Sequence, residues 1–140
     1  MYSKILICFD GSKGSIDALK KGISVAKIFK SDILAIWVKG SLPHYPETID
    51  EVKEEKEAAD IYFKKLRKQI ESFSKQEKVS ISFITRPGNA SKVIVEYIKE
   101  QKVDLTIMGH RGHSGLWGNF LGHVTDKVSE NAASDVLIVR

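Results

Sequence analysis

Apolar residues fall into two kinds of run along this chain, and the two alternate. Lys4–Phe9 (Lys-Ile-Leu-Ile-Cys-Phe) is nearly continuous in hydrophobicity, the pattern of a strand buried on both faces. In Ser12–Phe29 the apolar positions 16, 19, 23 and 26 form a helical stripe, with Ser12 or Ser15 placed to cap it. Asp32–Val38 is a second apolar strand, followed by a loop carrying Gly40, Pro43 and Pro46. Residues 47–75 are strongly charged, yet positions 59, 62, 63, 66, 70 and 73 keep helical spacing. An amphipathic helix is predicted there, with partial mobility expected around the mostly charged Glu51–Glu57. Val79–Thr85 suits a strand, Pro87-Gly88-Asn89 a turn, and Ser91–Glu100 a short helix bearing Val93, Ile94, Tyr97 and Ile98. Leu105–Met108 reads as a fourth strand, Gly122–Ala132 as a fourth helix and Val136–Val139 as a last strand.

Strand and helix in regular alternation predict an α/β fold: an open five-stranded parallel sheet with helices on both faces, Rossmann-like, in a single domain over residues 1–140. In such sheets ligands bind outside the carboxyl ends of the strands, where the strand order reverses. Asp10, Val38 and Gly109 all stand at carboxyl ends of predicted strands, so they are candidates to meet at one crevice.

Composition narrows the setting. At 42% hydrophobic residues the 140-residue chain can form a real core. No apolar run approaches the roughly 20 residues of a membrane span. The run after Met1-Tyr2-Ser3-Lys4 is too short for a signal peptide and closes at Asp10. One cysteine, Cys8, allows no internal disulfide and reads as an inert core residue, so a cytoplasmic protein is the default expectation. The net charge of +4 is spread among acidic residues, as in Glu54-Glu55-Lys56-Glu57. That is a solvated surface; a nucleic-acid face would cluster Lys and Arg with stacking aromatics.

The candidate chemistry lies in residues 109–122, Gly-His-Arg-Gly-His-Ser-Gly-Leu-Trp-Gly-Asn-Phe-Leu-Gly, which hold five of the ten glycines. Between a strand and a helix, such a run can bring bare backbone N–H groups to an anion. Gly109 lets the chain leave the strand, Gly112 allows close approach to a phosphate or sugar, and Gly122 opens a helix whose first N–H groups point outward. Thr125 adds a hydroxyl, and Arg111 could pair with phosphate. The plain alternative is a tightly turned surface loop. The run is neither a dinucleotide fingerprint nor a P-loop. It is not a nucleophile elbow at Ser114 either. His110, His113 and His123 lack the cysteines or carboxylates of a metal site, and none is expected. Trp37 reads as core or crevice wall. Trp117 and Phe120 either pack the loop down or belong to a partner surface.

Gly109-x2-Gly112-x9-Gly122 resembles the nucleotide loop of the universal stress protein family, an adenine nucleotide alpha-hydrolase-like group. Ile5–Ser12, with its Asp-Gly-Ser ending, resembles the family's first strand. Gly88-Asn89-Ala90 resembles its third-helix entry and Val136–Val139 its closing strand. The resemblance covers the full length and implies binding of ATP or another adenine nucleotide, with any Mg2+ arriving on the nucleotide and keeping its waters. By that resemblance Asp10 would lie near the ribose or phosphates, and Val38 would meet the adenine through its backbone. Met108 and Gly109 would border the ribose and Gly112 the phosphates. Gly122, Val124 and Thr125 would hold phosphate oxygens. The sequence departs at His123, where nucleotide-binding members carry Ser or Thr. An imidazole turned outward leaves the backbone anion site intact; one turned inward fills the phosphate space.

The leading expectation is therefore a small stress-related regulatory protein that binds an adenine nucleotide, with at most slow ATP hydrolysis. An interaction module of the same fold that has lost the nucleotide is the alternative. An ATP-pyrophosphatase-type enzyme, suggested faintly by Asp10-Gly11-Ser12-Lys13-Gly14-Ser15, is a distant third, since the chain has no room for a substrate domain. The apolar last strand, a hazard if left as an open edge, predicts a homodimer paired through residues 136–139, as the family often pairs it.

Overall fold

In a computed structural model, which describes residues 1–40, 48–110 and 121–140, five strands and four helices alternate. They are β1 (Lys4–Cys8), α1 (Lys13–Phe29), β2 (Asp32–Lys39), α2 (Ile49–Glu77), β3 (Ile81–Pro87), α3 (Ala90–Gln101), β4 (Leu105–Gly109), α4 (Leu121–Asn131) and β5 (Asp135–Val139). All pairings are parallel and the sheet order is β3-β2-β1-β4-β5. The chain steps outward from β1 to β3, then crosses back to β4 on the other side of β1. The order thus reverses between β1 and β4, which are paired with Ile5 opposite Leu105 and Ile7 opposite Ile107.

Alternation along β1 builds two cores. Ile5, Ile7 and Phe9 face one layer with α1 and α2, through residues such as Leu19, Ile23, Leu66 and Ile70. Leu6 and Cys8 face the other layer with Ile94 and Ile98 of α3 and Val128 of α4. A strand buried on both faces has no polar side of its own, hence its continuous apolar run.

Helix ends follow their side chains. The Ser12 hydroxyl accepts from Ser15 N at 3.2 Å, Thr48 from Glu51 N at 3.1 Å, and the Asn89 side chain from Lys92 N at 3.1 Å. Thr48, with Asp50 and Glu51 in the first turn, starts α2 at Ile49. The charged stretch 51–57 is helical, within the predicted amphipathic helix, and the first-turn acids Asp50 and Glu51 favour a helix N-terminus. β3 ends at Pro87, two residues beyond the predicted end. It is an edge strand, where a missing N–H is tolerated. Among the described residues, no helix is long and apolar enough to cross a membrane.

Candidate functional site

At the carboxyl edge of the sheet, between β1, β2 and the first turns of α3 and α4, lies a crevice. Its walls are Cys8, Phe9, Asp10, Ile36, Trp37, Val38, Ala90, Ile94 and Val124. Its lining is mostly apolar, with one carboxylate. The enclosed part is about 30 Å3, room for a water or two, so a purine-sized ligand would sit largely in the open mouth.

Asp10 is buried, and its carboxylate does local work. Oδ1 accepts from Ser12 N at 2.9 Å, folding the chain from β1 into α1. Ser12 supplies the helix cap. The Asp10 amide donates to Ser15 Oγ at 3.3 Å, and Ser15 Oγ donates to Ser12 O at 3.0 Å. Gly11 between them takes φ +84°, a left-handed value that favours glycine. From the far face, Tyr62 of α2 donates its hydroxyl to the Asp10 carbonyl. Burial, and then the Asp10 charge, raise the Tyr62 pKa above its usual value of 10.0, which keeps it a donor. Burial, followed by the same charge, pushes the Cys8 thiol up to about 12, so it is inert at neutral pH.

The candidate residues divide. Asp10, Val38 and Val124 come together in the crevice. Met108 does not line it; the residue is fully buried in the core beneath, with Cys8, Val38 and Val128. Gly109 ends β4 against α1, where an added Cβ would lie 2.6 Å from the carbonyl carbon and oxygen of Gly14. Its lack of a side chain is thus required by backbone packing. Thr125 is buried and donates to the Gly109 carbonyl at 3.4 Å, which ties α4 to the end of β4. Gly122 lies in the first turn of α4. His123 follows it and is exposed. Gly112, Arg111, His113, Trp117 and Phe120 lie outside the described residues. Sequence reasoning missed the apolar walls from α3, Ala90 and Ile94, and the two contacts of α1 and α2 that shape the edge, Gly14 and Tyr62.

The model of the universal stress protein family matches residues 1–140. The chain is 35% identical to universal stress protein MJ0531 of Methanocaldococcus jannaschii over 148 aligned positions, covering all of this chain and 83% of that one. It is 30% identical to universal stress protein YxiE of Bacillus subtilis over the full length of both. Among solved structures, universal stress protein UspA from Lactobacillus plantarum superimposes with a TM-score of 0.83 at 21% identity, covering 99% of this chain and 98% of that one. A universal stress protein solved in complex with cAMP gives 0.72 at 22% identity, covering 99% and 97%. More distant family structures have been solved with AMP, from Arabidopsis thaliana, and with dAMP, from Archaeoglobus fulgidus.

Proposed function

The chain belongs to the universal stress protein family, and on that premise we propose that it binds an adenine nucleotide in the crevice at the carboxyl edge of its sheet. The observation that carries the reading is the meeting of Asp10, Val38 and Val124 there, beside the point where strand order reverses. The apolar walls Ile36, Val38, Ala90, Ile94 and Val124 suit the faces of a base. Asp10, which lines the crevice, would offer an acceptor to a ribose hydroxyl. The first turn of α4, Leu121 to Val124, would offer N–H groups and a positive helix end to phosphate. Relatives solved with cAMP, AMP and dAMP support this ligand class.

The finer reading is ATP, with Mg2+ carried on its phosphates. Gly109 and the backbone of Met108, whose side chain is in the core, would border the ribose, and Gly112 the phosphates. The protein is a cytoplasmic stress-related regulator acting as a single domain. It pairs as a homodimer through β5, whose Leu137 and Ile138 are both 37% exposed. We assign no catalytic residue.

Replacement of the motif's Ser or Thr by His123 favours a second reading, an interaction module without nucleotide. Calorimetry with ATP and AMP, with and without magnesium, decides between them. Saturable binding below millimolar concentration supports the first. No heat at millimolar nucleotide overturns it, and a His123→Ser variant that gains binding would identify the imidazole as the cause.

A further inference from the structure

We propose that Tyr62, on a helix that contributes nothing to the crevice lining, is a positioning residue that sets the geometry of the ligand site through Asp10 and Trp37. The proposal rests on the nucleotide reading of the crevice. Three contacts converge on it. The Tyr62 hydroxyl donates to the Asp10 carbonyl. The Tyr62 ring packs on Trp37 with centroids 5.1 Å apart, and Trp37 is followed directly by Val38. Finally, the Asp10-Gly11-Ser12 turn is pressed against α2 so closely that a Cβ on Gly11 would lie 2.7 Å from Leu66 Cδ2 and 3.2 Å from Tyr62 Oη.

All described residues that line the crevice come from β1, β2, α3, α4 and the segments joined directly to them. Tyr62 is not among these lining residues; it holds the ends of two neighbouring strands from the opposite layer. The carbonyl it binds belongs to the residue whose carboxylate accepts from Ser12 N at 2.9 Å. A peptide anchored at its carbonyl cannot rotate freely, so the direction of the Asp10 side chain and of the first N–H groups of α1 is fixed before a ligand arrives. Preorganisation of this kind raises affinity by removing an ordering cost from the binding step.

Tyr62→Phe isolates the effect, because the ring and its packing on Trp37 stay while the hydroxyl goes. Two measurements on the full chain test it. The first is hydrogen exchange of the Asp10 and Ser12 amides in the ligand-free protein, which donate to Ser15 Oγ and Asp10 Oδ1. The second is calorimetric titration with AMP. Loss of one hydrogen bond predicts exchange at these two amides faster by about 5-fold, with α3 and β4 unchanged, and AMP binding weaker by about 5-fold. A purely structural tyrosine would lower the melting temperature and leave both readouts alone. Unchanged exchange at Asp10 and Ser12 overturns the proposal, and so does unchanged AMP affinity in a variant whose exchange has quickened. If the wild-type protein takes up no AMP, the nucleotide reading fails instead, and the exchange rates alone judge the role of Tyr62.

Discussion

Replacing Gly109 by alanine separates two reasons for a glycine at the end of β4. If the position is kept bare only for a ligand, the ligand-free protein should tolerate a methyl group. The structure predicts otherwise. A Cβ there would meet the Gly14 carbonyl carbon and oxygen at 2.6 Å and its Cα at 3.0 Å, where ordinary contact begins at 3.4 Å. Relief requires the first turn of α1 and the end of β4 to part by about 3.4 − 2.6 = 0.8 Å. Both partners are backbone, so no rotamer change can absorb the shift. The same turn carries the Ser12 cap and the hydrogen bond from Ser12 N to Asp10. Overpacking of this kind costs about 1–3 kcal/mol. Opposing it, Gly109 is not in a left-handed conformation, so alanine recovers about 0.4–1 kcal/mol by restricting the unfolded chain. The net expectation is a loss of about 1–2 kcal/mol, or a melting temperature lowered by roughly 3–8 °C. Thermal and urea unfolding of the ligand-free variant measure it. A Gly109→Ala protein that melts at or above the wild-type temperature would show that packing against Gly14 does not require the glycine.

Three further outcomes are expected. The Cys8 thiol is raised from 9.0 to about 12 in the folded protein, so its neutral form contributes stability that is complete below pH 9 and lost as pH rises from 9 towards 12. Wild type should therefore lose melting temperature faster than Cys8→Ala across that window; parallel curves would count against it. Lys78 ends α2 in a left-handed conformation at φ +55°, so Lys78→Gly should stabilise the protein by about 0.5–1 kcal/mol in urea unfolding, and a loss of stability would contradict this. Leu137→Lys on the outer edge should convert a wild-type dimer to a monomer by light scattering; a wild-type protein that is already monomeric at micromolar concentration would contradict the β5 pairing.

Element order and the meeting of strand ends were legible in the sequence because both depend on local pattern. The apolar run Ile5–Phe9 announces a strand buried on both faces, and parallel topology then brings Asp10 and Val38 to one edge. Boundaries were less so. The predicted helix over 47–75 is α2 at Ile49–Glu77, with its start set by the Thr48 hydroxyl and its end two residues beyond the predicted one. Tertiary contacts were not legible. Tyr62 looks like one more position in a helical stripe, since its hydroxyl reaches a carbonyl 52 residues away. Gly109 reads as a ligand glycine because Gly14, which it packs against, is 95 positions earlier and looks like a weak spot in a helix. Met108, placed at the ribose by resemblance, has its side chain in the core on the same face of the sheet as the crevice walls Cys8, Ile36 and Val38, but fully buried.

An adenine nucleotide in the crevice at the ends of β1 and β2 would perturb the amides around it. An amide chemical-shift titration of the isotope-labelled protein with AMP tests this binding most directly. A nucleotide bound there should give saturable shifts at Phe9–Ser12, Val38, Ala90, Val124 and Thr125, with the opposite edge around Lys4, Ser31 and Val79 unmoved. Saturating shifts at that opposite edge, or none at all at millimolar AMP, would contradict it.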